Sequence, residues 1–234
     1  MKIRYRSFEM PEIFSEQKVQ CAQDDISDIH ASGKSVMLSG SSEVFYLSHQ
    51  WQADLVLRGH SVHVIDCAIR FNPFLLTEEA FRNSVSPEYL LSKVGIRRAF
   101  TPYQILDSAR EALSKEALAK EDHAKGKADP GFHNSVYFFL APCKQFFDGD
   151  VASDEGAFLL EKLVHTFRSF AKAQIPLVLI EKDRYRSPLF SSVYAKLEAL
   201  SDTAWRLQKE EGIQGQKGRK NKESRYQLLR SHTG

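Results

Sequence analysis

Gly33-Lys34-Ser35 carries the three residue types that close a phosphate-binding loop, so nucleotide chemistry is the first reading to weigh. The loop needs a glycine five residues before the Gly-Lys pair, and Asp28 occupies that position. It also needs a strand before it and a helix after it, whereas apolar Val36-Met37-Leu38 follows. Val36–Leu47 has the right order: strand, Gly/Ser turn, helix. Gly40 supplies the first glycine there. Phe45 then replaces the glycine that lets amides approach phosphate, Tyr46 replaces the lysine, and Leu47 replaces the hydroxyl that ligates magnesium. What remains is a helix N-terminus, which attracts anions only generically.

Other chemistries are weaker. His60 and His63 are an odd number of residues apart, so on a strand they point to opposite faces and cannot share a metal. Asp24, Asp25, Asp28 and His30 read as a solvated polar segment. Cys143 could be paired with His133 or His165, but a lone cysteine after a buried strand is usually core. Ser39-Gly40-Ser41-Ser42 is not the G-x-S-x-G of a nucleophile elbow.

Short apolar runs alternating with helical periodicity must position these residues. Strands are expected at Val36–Leu38, Ser61–Asp66, Ile96–Phe100, Val136–Ala141 and Pro176–Ile180. Helices are expected from Glu43 to Arg58, Thr77 to Arg82, Pro87 to Val94, Tyr103 to Lys120 and Asp154 to Ala173. Ser42 is the expected N-cap of the first helix and Gly59 its left-handed terminator. Glu121–His133 reads as a loop. Thr203–Gln208 and Arg225–Leu229 alternate like an antiparallel pair. This order implies an α/β sheet with parallel central strands, with ligands bound beyond their carboxyl ends.

Composition sets the bounds. The chain has 234 residues, of which 42% are hydrophobic and 26% charged, so wholesale disorder is excluded. Three dispersed cysteines, Cys21, Cys67 and Cys143, give neither a zinc ribbon nor a disulfide framework. No apolar run approaches the ~20 residues of a membrane helix, and no secretory signal is readable. No membrane association and a cytoplasmic location are expected. The net charge of +2 hides an asymmetry: residues 209–234 carry +4 and residues 1–208 carry −2. A basic hairpin therefore closes a mildly acidic body.

The chain resembles the core domain of RecA-like recombinases, of the archaeal and eukaryotic type with their paralogues. Gly33–Gly40 is similar to the family's G-x-x-x-x-I-x-G strand, and Val64–Leu76 to I-D-T-E-G-x-F-x-P-x-x-L, with Asp66, Phe71, Pro73 and Leu76 matching. Arg97–Gln104 resembles R-A-[FY]-x-x-x-x-Q. Ala204–Lys209 and Glu223–Arg230 resemble the closing hairpin. Val136–Cys143 stands in the place of the Walker B strand, with Ala141 and Pro142 where its Asp and Ser would be, and Ala68 stands where the water-activating glutamate would be. The order and spacing of these stretches, over roughly residues 26–230, carry the resemblance.

The resemblance implies a P-loop-type three-layer sandwich, with a mostly parallel central sheet and a C-terminal antiparallel hairpin. Residues 1–25 would be an N-terminal extension and 26–234 a single core domain. Phosphoryl transfer needs a phosphate cradle, a lysine, a metal site and an acid. With Phe45, Tyr46, Leu47, Ala68 and Ala141 at those positions, a non-catalytic protein without cofactor is expected. Asp66 is the one acid left as a possible ligand, and its plainer role is bonding nearby amides. ATP and magnesium enter only if the protein is an atypical ATPase.

By position, two family loops would face DNA. Lys144–Glu155 is too acidic to favour a phosphate backbone. Lys182–Tyr194 interleaves Lys182, Arg184 and Arg186 with Tyr185, Phe190 and Tyr194, the cations and aromatics of single-strand binding. Lys217, Arg219, Lys220 and Lys222 form a basic stretch that suits binding to phosphates. The expected function is recombination or repair, with DNA (single-stranded) and a RecA-like or polymerase protein as partners. The alternative is a pseudo-ATPase interaction module that does not touch DNA.

Overall fold

The computed structural model describes Ile26, Ile29 and residues 33–125, 134–147, 151–183, 188–209 and 226–231. Its strands are β1 (Ser35–Gly40), β2 (Ser61–Asp66), β3 (Val94–Arg98), β4 (Ser135–Leu140), β5 (Leu177–Lys182), β6 (Thr203–Lys209) and β7 (Tyr226–Ser231). The helices are α1 (Val44–Leu57), α2 (Pro73–Arg82), α3 (Pro87–Ser92), α4 (Pro102–Ala124), α5 (Ser153–Lys172) and α6 (Pro188–Leu200).

The strands form one sheet in the order β3-β2-β4-β5-β1-β6-β7. All pairs are parallel except β6 with β7, where Trp205 faces Arg230 and Leu207 faces Leu228. This order is neither of the two common doubly wound ones, 3-2-1-4-5-6 and 2-1-3-4-5. It places β1 between β5 and β6, so the chain leaves β1 towards β2 in one direction and crosses β1 from β5 to β6 in the other.

Period-two alternation splits the strand side chains between two cores. Val36, Leu38, Val64, Phe138 and Ile180 pack with Trp51, Leu55, Leu76 and Leu90 of α1, α2 and α3. Met37, Ile65, Phe139 and Leu179 pack with Ile105, Leu163, Phe167 and Leu197 of α4, α5 and α6. Helices thus cover both faces and make three layers. Parallel strands buried on both sides need apolar residues at successive positions, hence runs such as Val136–Leu140, all buried. On the α5 face, Phe139 meets Phe167 edge-on with centroids 4.8 Å apart.

Several boundaries differ from the sequence expectation. α2 starts at Pro73, not Thr77, because Asn72 caps it by accepting the Phe74 amide at 3.1 Å and Pro73 lacks the amide that would need a partner. Ser42 does not cap α1: Glu43 holds that position, and it makes no side-chain cap bond. Gly59 terminates α1 with φ +91°. α6 is an addition to the expected elements. Phe190, Val193 and Leu197, at helical spacing, bury it against the sheet.

Candidate functional site

The carboxyl ends of the parallel strands are where a ligand would bind. Lys34 is not there: it is exposed and precedes β1, at the opposite edge. Gly33 is explained by packing, with φ +58° and a position where a Cβ would sit 2.7 Å from the Gln174 Cβ.

At the carboxyl end of β1, Gly40 has φ +142°, and a Cβ there would meet the Leu207 carbonyl oxygen at 2.1 Å. Its role is the close approach of β1 to β6. Only three residues separate Gly40 from α1, and their carbonyls engage the helix's first amides: Val44 N to Ser41 O at 3.2 Å, Phe45 N to Ser42 O at 3.3 Å and Leu47 N to Glu43 O at 3.1 Å. Phe45, Tyr46 and Leu47 therefore lie inside the helix rather than in a loop. Phe45 is buried beneath the Arg70 guanidinium, 5.2 Å from its ring centre. The Tyr46 hydroxyl accepts from Arg82 at 3.1 Å, Arg82 also pairs with Glu79 at 2.5 Å, and burial raises the phenol's pKa. Leu47 is core. Aromatic and aliphatic groups thus occupy the positions a phosphate cradle would use.

Asp66 ends β2 fully buried. Its Oδ1 accepts from the amides of Ala68 at 3.2 Å and Arg70 at 2.8 Å, and its Oδ2 from Phe71 at 3.2 Å. The carboxylate thus organises residues 67–71 and leaves Ile69 exposed at φ +54°, an unusual conformation for a β-branched residue. His49, one turn into α1, is bound up with this loop. Its Nε2 accepts the Asn72 amide at 2.9 Å, its Nδ1 donates to the Phe45 carbonyl at 2.5 Å, and its ring packs on Phe71. Those bonds require the neutral ring, and burial pushes its pKa down.

At the next strand ends, Ala141 takes φ +52° where the resemblance would have a metal-binding acid. Neither Ala141 nor Leu47 has a side-chain donor for a metal. Among the described residues no group of three or more His, Cys, Asp or Glu could hold one. Glu181 of β5 is fully buried; its Oε2 accepts the Cys143 amide at 3.0 Å and its Oε1 the Lys182 amide at 3.0 Å. Burial first, then the Glu181 charge, raises both the Cys67 and Cys143 thiols. They are poor nucleophiles, and His165 is exposed while Cys143 is fully buried, so they make no pair.

Of the residues expected to meet nucleic acid, Lys182 is half-buried at the end of β5, while Arg184, Tyr185, Arg186, Lys217, Arg219, Lys220 and Lys222 lie outside the described residues. The aromatics of that stretch, Phe190 and Tyr194, belong to α6 and turn inward: Phe190 packs edge-on to Phe147, and the Tyr194 hydroxyl bonds Ser39. They are not a stacking platform for bases. Arg206 lies 5.8 Å from the Tyr194 ring, and its buried Nε has no hydrogen-bond partner among the described residues. His49, Glu181 and Arg206 do not stand out in the sequence, since one polar residue within an apolar element carries no periodic signal.

No known protein-family model matches the chain, and no curated protein matches it. Among the described residues no helix is long and apolar enough to cross a membrane.

Proposed function

We propose that the chain is a non-catalytic, RecA-like protein of DNA recombination or repair, which binds single-stranded DNA, a partner recombinase or polymerase, or both. The observation that carries the non-catalytic part is the filled phosphate position: Phe45 under Arg70, Tyr46 bonded to Arg82 and Leu47 in the core. Asp66 supports it, because its carboxylate is taken up by three amides of its own loop. The RecA-like part is supported by the parallel sheet ending in the antiparallel β6–β7 pair, together with the motif order. The DNA part rests on the basic residues Lys182, Arg184, Arg186, Lys217, Arg219, Lys220 and Lys222.

One observation favours the second reading, a pseudo-ATPase interaction module that does not touch DNA. Phe74 and Phe81, one heptad apart on α2, are 70% and 68% exposed, and Ile69, in the loop before α2, is 69% exposed. Such apolar exposure suits a protein partner.

Anisotropy titration with single- and double-stranded DNA over a salt series separates the two. The first reading expects binding that weakens steeply with salt. Neutralising Lys217, Arg219, Lys220 and Lys222 should then flatten the logarithmic salt slope by about one unit for each phosphate that a lysine or arginine no longer neutralises. An unchanged slope removes that stretch from the site, and no binding at low salt leaves the interaction module. The third possibility, an atypical ATPase, is tested by nucleotide calorimetry and a magnesium-dependent turnover assay. Turnover abolished by substituting Tyr46 or Asp66 would overturn the non-catalytic reading.

A further inference from the structure

A cavity of about 240 Å³ lies between β2, β3 and α4, lined by His63, Ile65, Gly95, Ser108, Ala112 and Tyr137 among others. It opens midway along β2 and β3, away from the degenerate phosphate loop. Glycine helps to make it: a Cβ at Gly95 would stand 3.3 Å from the His63 Nδ1, over the opening. β3 is the last strand on its side of the sheet, and Gly95, Ile96, Arg97 and Arg98 are exposed, so the cavity communicates with solvent.

Its walls divide by chemistry. The His63 ring stacks on Tyr137 with centroids 5.0 Å apart, and Tyr137, Ile65 and Ala112 give an apolar floor. Above it stand three polar groups with no hydrogen-bond or ion-pair partner among the described residues: the His63 imidazole, the Ser108 hydroxyl and the Lys115 ammonium. The nearby acids are already engaged. Glu111 pairs with Arg97, and Glu116 accepts the Tyr137 hydroxyl at 2.8 Å. In formal charge Arg97 and Lys115 balance Glu111 and Glu116. Lys115 is the lining cation with no ion pair among the described residues, and the Ser108 hydroxyl, on a buried residue, is open to a partner in the cavity.

We propose that this cavity binds a small organic anion. One carboxylate or phosphate group would be held by Lys115, His63 and Ser108, and a short carbon skeleton would lie on Tyr137, Ile65 and Ala112. The volume is below the ~300–1,000 Å³ of drug-sized sites, so the ligand is correspondingly small. The site does not depend on the DNA reading. Empty, His63 is held neutral by burial and by Lys115, while Glu116 pulls the other way. The charged and titratable groups around it are Lys115, Glu111 and Glu116 from α4, Arg97 from β3 and Tyr137 from β4. An added anion favours the imidazolium, so binding takes up a proton and tightens as pH falls.

The test is an NMR titration of the full chain with inorganic phosphate and, separately, succinate, following the Gly95 and Ala112 amides. Saturating shifts are expected for at least one probe, with affinity about fivefold or more higher at about pH 6 than at about pH 8. Lys115→Ala, an exposed change that leaves the melting temperature in place, should weaken binding about tenfold. His63→Gln should abolish the pH dependence of succinate binding, the probe to read here because phosphate itself changes charge in this window. Linear shifts without saturation, or affinity indifferent to Lys115→Ala, would overturn the site. So would a polyglutamate peptide that shifts these amides while both free anions do not, because the occupant would then be a protein side chain.

Discussion

Asp66 and Glu181 are both fully buried carboxylates at the carboxyl ends of parallel strands, yet they do different work. Asp66 faces α1 and accepts three amides, all within five residues of itself. Glu181 faces α5 and α6 and reaches the Cys143 amide at the end of β4, 38 residues away in sequence. The first shapes one loop; the second ties two strand ends together beside a pair of buried thiols. Position at a strand end therefore does not make an acid a ligand. What decides is whether its oxygens are already occupied by amides, and here both are.

Removing Asp66 tests this most severely. Asp66→Ala should destabilise the chain by about 3 kcal/mol, since three charge-assisted bonds go and the Ala68 and Phe71 amides stay buried. Chemical denaturation checks the loss. A change under about 1 kcal/mol would mean that water replaces the carboxylate and that the site is open enough for a ligand. Glu181→Gln is milder, because the amide keeps one acceptor; about 1–2 kcal/mol is expected. It should also lower the pKa of Cys143, whose thiol is raised by the Glu181 charge after burial. Thiol alkylation rate against pH reads that shift, and an unmoved profile would leave burial as the whole cause.

The Asp66 face also holds a buried polar side chain with no such compensation. Gln52 on α1 is fully buried, and neither its Oε1 nor its Nε2 has a hydrogen-bond partner among the described residues. Unlike the two carboxylates, it bears the desolvation cost alone. Gln52→Leu should raise stability by about 1 kcal/mol, seen as a higher melting temperature. A lower one would show that the amide meets a group beyond the described residues.

Much of this layout is legible in the sequence, for physical reasons that also mark where legibility ends. β2 and β4 are apolar because both faces are covered, so Val62–Ile65 and Val136–Leu140 announce themselves. The loss of a phosphate cradle is readable from Phe45, Tyr46 and Leu47 alone. α6 is hidden because Ser187-Pro188 and Ser191-Ser192 look like a loop, although Phe190, Val193 and Leu197 keep helical spacing. The bonds of Asp66 are local, so a role in bonding nearby amides can be foreseen. The bond from the Cys143 amide to Glu181 joins strand ends that are neighbours only after folding, so nothing near Glu181 in sequence could announce it.

The last expected effect is a slope rather than a step, and it concerns the support of the Asp66 loop. His49 is bound to that loop through the Asn72 amide, in a geometry that only the neutral ring satisfies. Its folded pKa is lowered by burial, with the Phe45 carbonyl and Asp66 opposing that shift. Above about pH 6.5 both the folded and unfolded chains hold the ring neutral, and its stabilising share is complete. As pH falls below that value the unfolded chain takes up a proton that the folded chain refuses. Stability is then lost, until pH reaches the depressed folded value. One histidine contributes at most about 1.4 kcal/mol per pH unit. His63, also lowered by burial, acts in the same direction, so the two must be separated. His49→Gln should reduce the acid slope of unfolding free energy, and a second reduction should follow when His63→Gln is added. If His49→Gln leaves the slope unchanged while His63→Gln removes it, the Asp66 loop stands on its carboxylate alone, and the contrast with Glu181 becomes sharper.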